Sequence, residues 1–182
     1  MLYIMRHGRT DWNEQYRLQG GTDIPLNEEG RRMAREAAET YRDVEFDLCY
    51  VSPLQRARET AELFLKGREI PVIVDERLRE MGFGEYEGWD HIYQKPEYPI
   101  YKLFKDPEHY VADRGAESFE ELFERTGEFL EKIVQPQLEE GKNILIIGHG
   151  AMNSAIINRI RKLSLDKFWD AGCRNCELIR LI

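Results

Sequence analysis

At 182 residues, 42% hydrophobic and 33% charged, the chain has the length and composition of a globular fold with one buried core and little room for a second. Its formal net charge of −8 argues against nucleic-acid binding through bulk charge, so any bound phosphate needs a local cluster of arginines working against the overall field. No apolar run reaches the length of a membrane span, no leader precedes Arg6, and the three cysteines (Cys49, Cys173 and Cys176) are an odd number, so the expectation is a cytoplasmic protein with reduced thiols.

Residues 2–5 form an apolar run that breaks into Arg6-His7-Gly8, which reads as a buried strand ending in a loop. Open α/β sheets place ligands at the carboxyl ends of their strands. Imidazole beside guanidinium is a poor metal site, because arginine cannot coordinate and repels a cation. The pair suits an anion, gripped by arginine and attacked or hydrogen-bonded by histidine. A surface basic pair is the alternative. A polar loop follows, through Gln19-Gly20-Gly21-Thr22-Asp23 to Pro25. Asn27 is a candidate N-cap, with Glu28 and Glu29 in the first turn of a helix whose Met33, Ala37 and Tyr41 share a stripe. Residues 46–51 read as a second strand. It runs into Ser52-Pro53, expected as N-cap and first residue of a helix that buries Leu54, Ala57, Ala61, Phe64 and Leu65 and carries Arg56.

A third short strand is expected over 70–74. Beyond it, Gly82, Gly84 and Gly88 mark an irregular loop rich in carboxylates, Glu80, Glu85 and Glu87 among them. The stretch from about 90 to 115 is aromatic, charged and interrupted by Pro96, Pro99 and Pro107. It is expected as short helices and loops packed as a lid, since its tyrosines and phenylalanines argue against a disordered linker. Ser118-x-x-Glu121 is a capping box opening an amphipathic helix with Leu122, Phe123, Thr126, Phe129, Leu130 and Ile133. Residues 143–147 form a fourth, fully apolar strand ending in Gly148-His149-Gly150, followed by a helix, and 176–181 a last strand. Strands alternating with helices predict an α/β fold, a three-layer sandwich whose mostly parallel central sheet is flanked by helices. One domain over 1–182 is expected. Cys173-x-x-Cys176 has no second pair, so it is expected to be structural.

Parallel strands put their carboxyl ends on one edge, so Arg6-His7, Ser52 to Arg56, Glu80 and His149 should meet in one cleft. Two histidines, two arginines, a carboxylate and the amides of a helix start after Gly150 are a kit for a phosphate monoester. Arginines bind the non-bridging oxygens, one histidine attacks, and the carboxyl group handles the leaving-group proton.

Six blocks, in order, resemble the histidine phosphatase superfamily, in the branch that includes cofactor-dependent phosphoglycerate mutase. They are Arg6-His7-Gly8-Arg9-Thr10 with Trp12-Asn13; Gln19 to Leu26 with Gly30; Ser52-Pro53-Leu54-Gln55-Arg56-Ala57 with Thr60-Ala61; Leu78-Arg79-Glu80 with Gly84 and Glu87-Gly88; Gly115-Ala116-Glu117-Ser118; and Gly148-His149-Gly150. The resemblance implies a phosphoglycerate mutase-like fold with no metal or other cofactor. It implies that His7 is the nucleophile, that Arg6, Arg56 and His149 hold the phosphoryl group, and that Glu80 is the general acid. Asn13, Gln19, Gly20, Thr22 and Gly150 are the candidate substrate-binding positions. Glu85 and Glu87 are rivals for the acid, Arg9 departs from the residues common at its place, and His91 and His109 are left unassigned.

Within that family, the mutase block reads more like Glu-Arg-x-Tyr-Gly, and an Arg-Arg pair grips the substrate carboxylate. This chain has Glu80-Met81-Gly82-Phe83-Gly84, no such pair between Gly88 and Ser118, and no tail beyond its last strand to shield a phosphohistidine. The expectation is a phosphatase acting on a small phosphomonoester. A mutase and a non-catalytic phosphate-binding domain are the alternatives. Neither the substrate nor the oligomeric state is set by the sequence.

Overall fold

The apolar runs become the strands of one sheet. The protein is described by a computed structural model covering residues 1–170 and 172–182. Strands β1 (Leu2–Arg6), β2 (Leu48–Val51), β3 (Val72–Val74), β4 (Ile144–Gly148) and β5 (Leu178–Arg180) lie in the order β3-β2-β4-β1-β5. The first four are mutually parallel and β5 runs antiparallel to β1. Between them lie helices α1 (Asp11–Glu14), α2 (Glu28–Thr40), α3 (Gln55–Phe64), α4 (Ile100–Lys105), α5 (Phe119–Phe129), α6 (Gln135–Glu139) and α7 (Gly150–Arg161). Among the described residues, no helix is long and apolar enough to cross a membrane.

The period-two alternation of the strands splits the core in two. Leu2, Ile4, Tyr50, Ile144 and Ile146 pack with residues of α5, α7 and the 90–110 stretch. Tyr3, Met5, Val51, Leu145 and Ile147 pack with Ala34 and Ala37 of α2 and Ala57, Ala61 and Phe64 of α3. Helices therefore cover both faces, which is the expected sandwich. Ile92, Ile100 and Leu103 anchor the 90–110 stretch in the first core.

Local signals place most helix starts. Asn27 Oδ1 accepts from Gly30 N at 2.8 Å, and Ser118 and Glu121 close the capping box. One start differs from expectation: α3 begins at Gln55 and its N-cap is Leu54, not Ser52. The Ser52 side chain faces His149 instead. The helix opened by Ser118 also runs further than 133. A π-helical segment, Leu130–Val134, leads into α6. Pro136 has no N–H to give an α-helical ladder and its ring crowds the preceding turn, which the wider π turn relieves.

Two glycines lock the loop after β1 onto α2. A Cβ on Gly8 would lie 2.5 Å from Gly30 O, and one on Gly30 would lie 2.1 Å from Arg9 O. In an exposed helix, Gly30→Ala would gain about 1 kcal/mol. Here the clash is with backbone, so the expected net effect is a loss of about 1–3 kcal/mol. Calorimetry should read it as a lower Tm, and a raised Tm would contradict the packing described.

Candidate active site

The carboxyl ends of β1, β2 and β4 sit side by side, with Arg6 paired to Gly148 and Val51 to Ile147. A cavity of about 250 Å³ opens there, lined by Arg6, His7, Asn13, Gln19, Gly20, Arg56, Glu80 and Gly150 among others. His7 is buried at its edge. His7 Nδ1 lies 2.6 Å from Gly8 O. A carbonyl only accepts, so Nδ1 carries the proton and Nε2 keeps its lone pair. The main chain of His7 is tied on both sides, by His7 N donating to Gly148 O at 2.9 Å and Asn175 Nδ2 donating to His7 O at 2.7 Å.

Arg56 is fully buried and its fork is aimed by the polar loop. Its Nη1 donates to Thr22 O and its Nη2 to Gly20 O, each at 2.8 Å. Burial lowers its pKa to about 10, so it stays a cation at neutral pH. The Nε atoms of Arg6 and Arg56 and Nδ1 of His149 are buried without a partner. His149 Nε2 lies 2.7 Å from Ser52 Oγ, and Leu54 N donates to that same oxygen. Leu54 N does not decide the direction, since a hydroxyl oxygen accepts twice, but Nε2 is the one acceptor within reach of the Ser52 proton among the described residues, which assigns the His149 proton to Nδ1. Arg6 and Arg56 line the cavity and His149 does not; it stands beside His7, with ring centroids 5.2 Å apart, and the unpaired donors of all three are the polar complement of an oxyanion.

Glu80 reaches the cavity from the loop after β3. Its Oε1 accepts from Met81 N and Met152 N, both at 2.9 Å, and its Oε2 from Ala151 N at 3.2 Å. The first amides of α7 thus hold Glu80, where they were expected to donate to phosphate. The rival acids are elsewhere. Glu87 accepts from Gly21 N at 2.9 Å, from Phe83 N at 3.1 Å and from the Thr22 hydroxyl, so it shapes the polar loop. Glu85 faces Arg114 at 3.7 Å on the surface.

Of the candidate binding positions, Asn13, Gln19, Gly20 and Gly150 line the cavity. Thr10 N donates to Asn13 Oδ1 and the Thr10 hydroxyl to Gln19 Oε1, which leaves both carboxamide N–H₂ groups as donors. Thr22 is not among the residues lining the cavity; its carbonyl accepts from Arg56 and its hydroxyl donates to Glu87. Arg9 is exposed, and His91 and His109 pair with Tyr93 and Asp106 away from the site. Burial raises the Cys173 thiol to about 11 and Cys176 to about 12, and among the described residues no three His, Cys, Asp or Glu side chains group as metal ligands.

The cavity has further walls, of which Phe83 is expected from the sequence as core or pocket wall and the lid aromatic Phe104 as packing or substrate wall, while Arg17, Leu18, Ala151 and Trp169 are not assigned to the site there. Phe104 and Trp169 stack with ring centroids 5.3 Å apart. Phe104 was among the lid aromatics. Trp169 follows α7 in a stretch with no motif, and only the fold brings it to Phe104.

Both site histidines have pKa values pushed well below the usual 6.5, first by burial and then by the charge of Arg56. The unfolded chain takes up protons below about pH 6.5 that the folded chain refuses. Stability is therefore whole above that pH and is lost as pH falls, by about 1.4 kcal/mol per pH unit for each histidine. The carboxyl of Asp75, held down by Arg77, costs stability only below its usual 3.8. Urea midpoints are expected to fall between pH 7 and 5, and a flat midpoint over that range would contradict neutral, buried imidazoles.

A sequence profile described as "Histidine phosphatase superfamily (branch 1)" matches residues 2–182. The chain belongs to the histidine phosphatase superfamily. Among the superfamily's proteins, it is 36% identical over 159 residues to the "Uncharacterized phosphatase PhoE" of Bacillus subtilis, covering 86% of this chain and 75% of that one. It is 30% identical to a 2,3-bisphosphoglycerate-dependent phosphoglycerate mutase of Cytophaga hutchinsonii, covering 90% and 78%. A solved mycobacterial glucosyl-3-phosphoglycerate phosphatase superimposes with a TM-score of 0.84 at 29% identity, covering 97% of this chain and 90% of that one. Both activities therefore occur among superfamily members at similar distance from this chain, and the site itself must be read for which one it performs.

Proposed function

We propose that the chain hydrolyses a small phosphomonoester through a phosphohistidine on His7. One observation carries the reading: the Nδ1–H bond to Gly8 O presents a lone pair at Nε2 in a cavity walled by two arginines and a carboxyl group. Arg6, Arg56 and His149 hold the non-bridging oxygens. Each arginine–oxyanion contact is worth about 4 kcal/mol of raw Coulomb energy at 4 Å and an effective dielectric of 20, before desolvation. His7 Nε2 attacks phosphorus, the P–O ester bond breaks, and Glu80 gives its proton to the leaving oxygen. Water then attacks the phosphohistidine. Glu80 takes the water's proton, the P–N bond breaks, and its electron pair returns to Nε2. Phe83, Phe104 and Trp169 form the wall for the leaving alcohol, and Arg17 stands at the rim.

The test is a quench after mixing with an aryl phosphate labelled in phosphorus. Label bound to protein in an acid-labile, alkali-stable form, followed by release of inorganic phosphate, is expected. A mutase would instead pass the label to a second alcohol, and a binding domain would release no phenol. Activity is expected to be the same in excess chelator. Loss that a divalent ion restores would overturn the reading of the site as complete in its own side chains.

A further inference from the structure

Arg125 of α5 does not line the cavity that holds His7, yet all its donors are spent near Glu80. Its Nε donates to Glu117 Oε1 at 2.6 Å and its Nη2 to Glu117 Oε2 at 2.9 Å. Its Nη1 donates to Arg77 O at 2.7 Å and Arg79 O at 2.8 Å, and its Nη2 to Glu80 O at 3.3 Å. A guanidinium has five N–H donors, and these contacts use them all. Glu117 continues the grip on the far side of Glu80. Its Oε2 accepts from Gly82 N at 3.0 Å, and its own N–H donates to Gly82 O at 2.8 Å.

The main chain is thus held immediately before and after Glu80. The loop is itself neither strand nor α-helix, and the amides of Ala151 and Met152 in α7 hold only the carboxylate of Glu80, not its main chain. Behind it lies a second cavity of about 560 Å³, lined by Arg125, Glu117, Gly82 and Glu80 itself. Leu78 and Met81, on either side of Glu80, are buried in the core, and on the side that faces this cavity the main chain is held by the hydrogen bonds of Arg125 and Glu117.

We propose that Arg125, braced by Glu117, is the positioning residue that holds Glu80 at the leaving oxygen. The inference rests on the reading of Glu80 as proton donor. A buried structural tie would affect folding alone. A positioning residue affects proton donation, and its loss should weigh most on poor leaving groups.

Arg125→Lys and Glu117→Gln test this. Lysine offers three donors from one point and cannot cover five acceptors. The burst of alcohol or phenol release is followed with an alkyl phosphate and with nitrophenyl phosphate, and Tm is measured alongside. For both variants, phosphorylation by the alkyl substrate is expected to fall by about 10- to 100-fold and that by the nitrophenyl substrate by less than about threefold. Equal losses, or none, would overturn the proposal. If one variant fails to fold, the other carries the same readout. The two failures are distinguishable. If wild-type protein releases no alcohol, phenol or inorganic phosphate, the phosphatase reading fails. If Glu80→Gln itself loses both substrates equally, the acid assignment fails and takes the proposal with it. If Glu80→Gln is selective and the clamp variants are not, the clamp alone is wrong.

Discussion

His7→Ala is expected to reduce hydrolysis of an aryl phosphate by at least about 10⁴-fold, because no other group in the cavity can carry the phosphoryl intermediate. His149 is the one other imidazole nearby, with ring centroids 5.2 Å apart. Its Nε2 takes the Ser52 proton and its Nδ1 carries its own, so it has no free lone pair to offer. The fold should survive. The bonds that His7 N makes to Gly148 O and that Asn175 makes to His7 O belong to the main chain and outlast the ring. Phosphate should still bind, since Arg6, Arg56 and His149 are untouched. The measurement is turnover together with circular dichroism and the inhibition constant for inorganic phosphate. A folded variant retaining more than a few per cent of wild-type turnover would remove His7 from the nucleophile's role. A folded, inactive variant that no longer binds phosphate would mean that His7 acts mainly in binding.

Much of this site was legible in the sequence, because its residues follow strands directly. Arg6 and His7 end β1, His149 follows β4, and a parallel sheet carries both to one edge whatever the details between them. Arg56 and Glu80 lie further from their strands, yet their connections are short enough to stay at that edge. The apolar alternation likewise dictated two core layers. Hydrogen-bond competition was not legible. Ser52-Pro53 has the form of a helix start, but the Ser52 hydroxyl is claimed by His149, 97 positions away, and the helix starts later. The amides of α7 were expected on phosphate and are occupied by Glu80. Glu87 differs from Glu80 by nothing in composition. It is committed to the backbone of Gly21 and Phe83 by tertiary contacts alone. Trp169 needed the whole chain to fold before it could meet Phe104.

Glu80→Gln is expected to separate acid catalysis from binding. The amide keeps the size of the side chain and one carbonyl oxygen, which can still accept from Met152 N or Ala151 N, but it has no proton to give. An alkyl phosphate releases a strongly basic alkoxide and needs that proton. A nitrophenyl phosphate releases a stable phenolate and scarcely needs it. General acid catalysis contributes about 10²–10⁴-fold, or about 3–5 kcal/mol, so the alkyl substrate should lose a factor of that order in its phosphorylation step. The nitrophenyl substrate should lose far less. Because the proposed mechanism also has Glu80 activate water in the second step, steady-state turnover would fall for both and hide the difference. The burst of alcohol or phenol release isolates the first step. In the variant, nitrophenyl phosphate should give a full burst followed by a slow steady state, with phosphohistidine accumulating on His7. Equal loss of burst rate for the two substrates would mean that Glu80 only braces the loop. Glu87 would be a poor replacement, since it does not line the cavity and its carboxylate is tied to Gly21, Phe83 and Thr22. The leaving-group proton would then have to come from solvent, through the open side of the cavity.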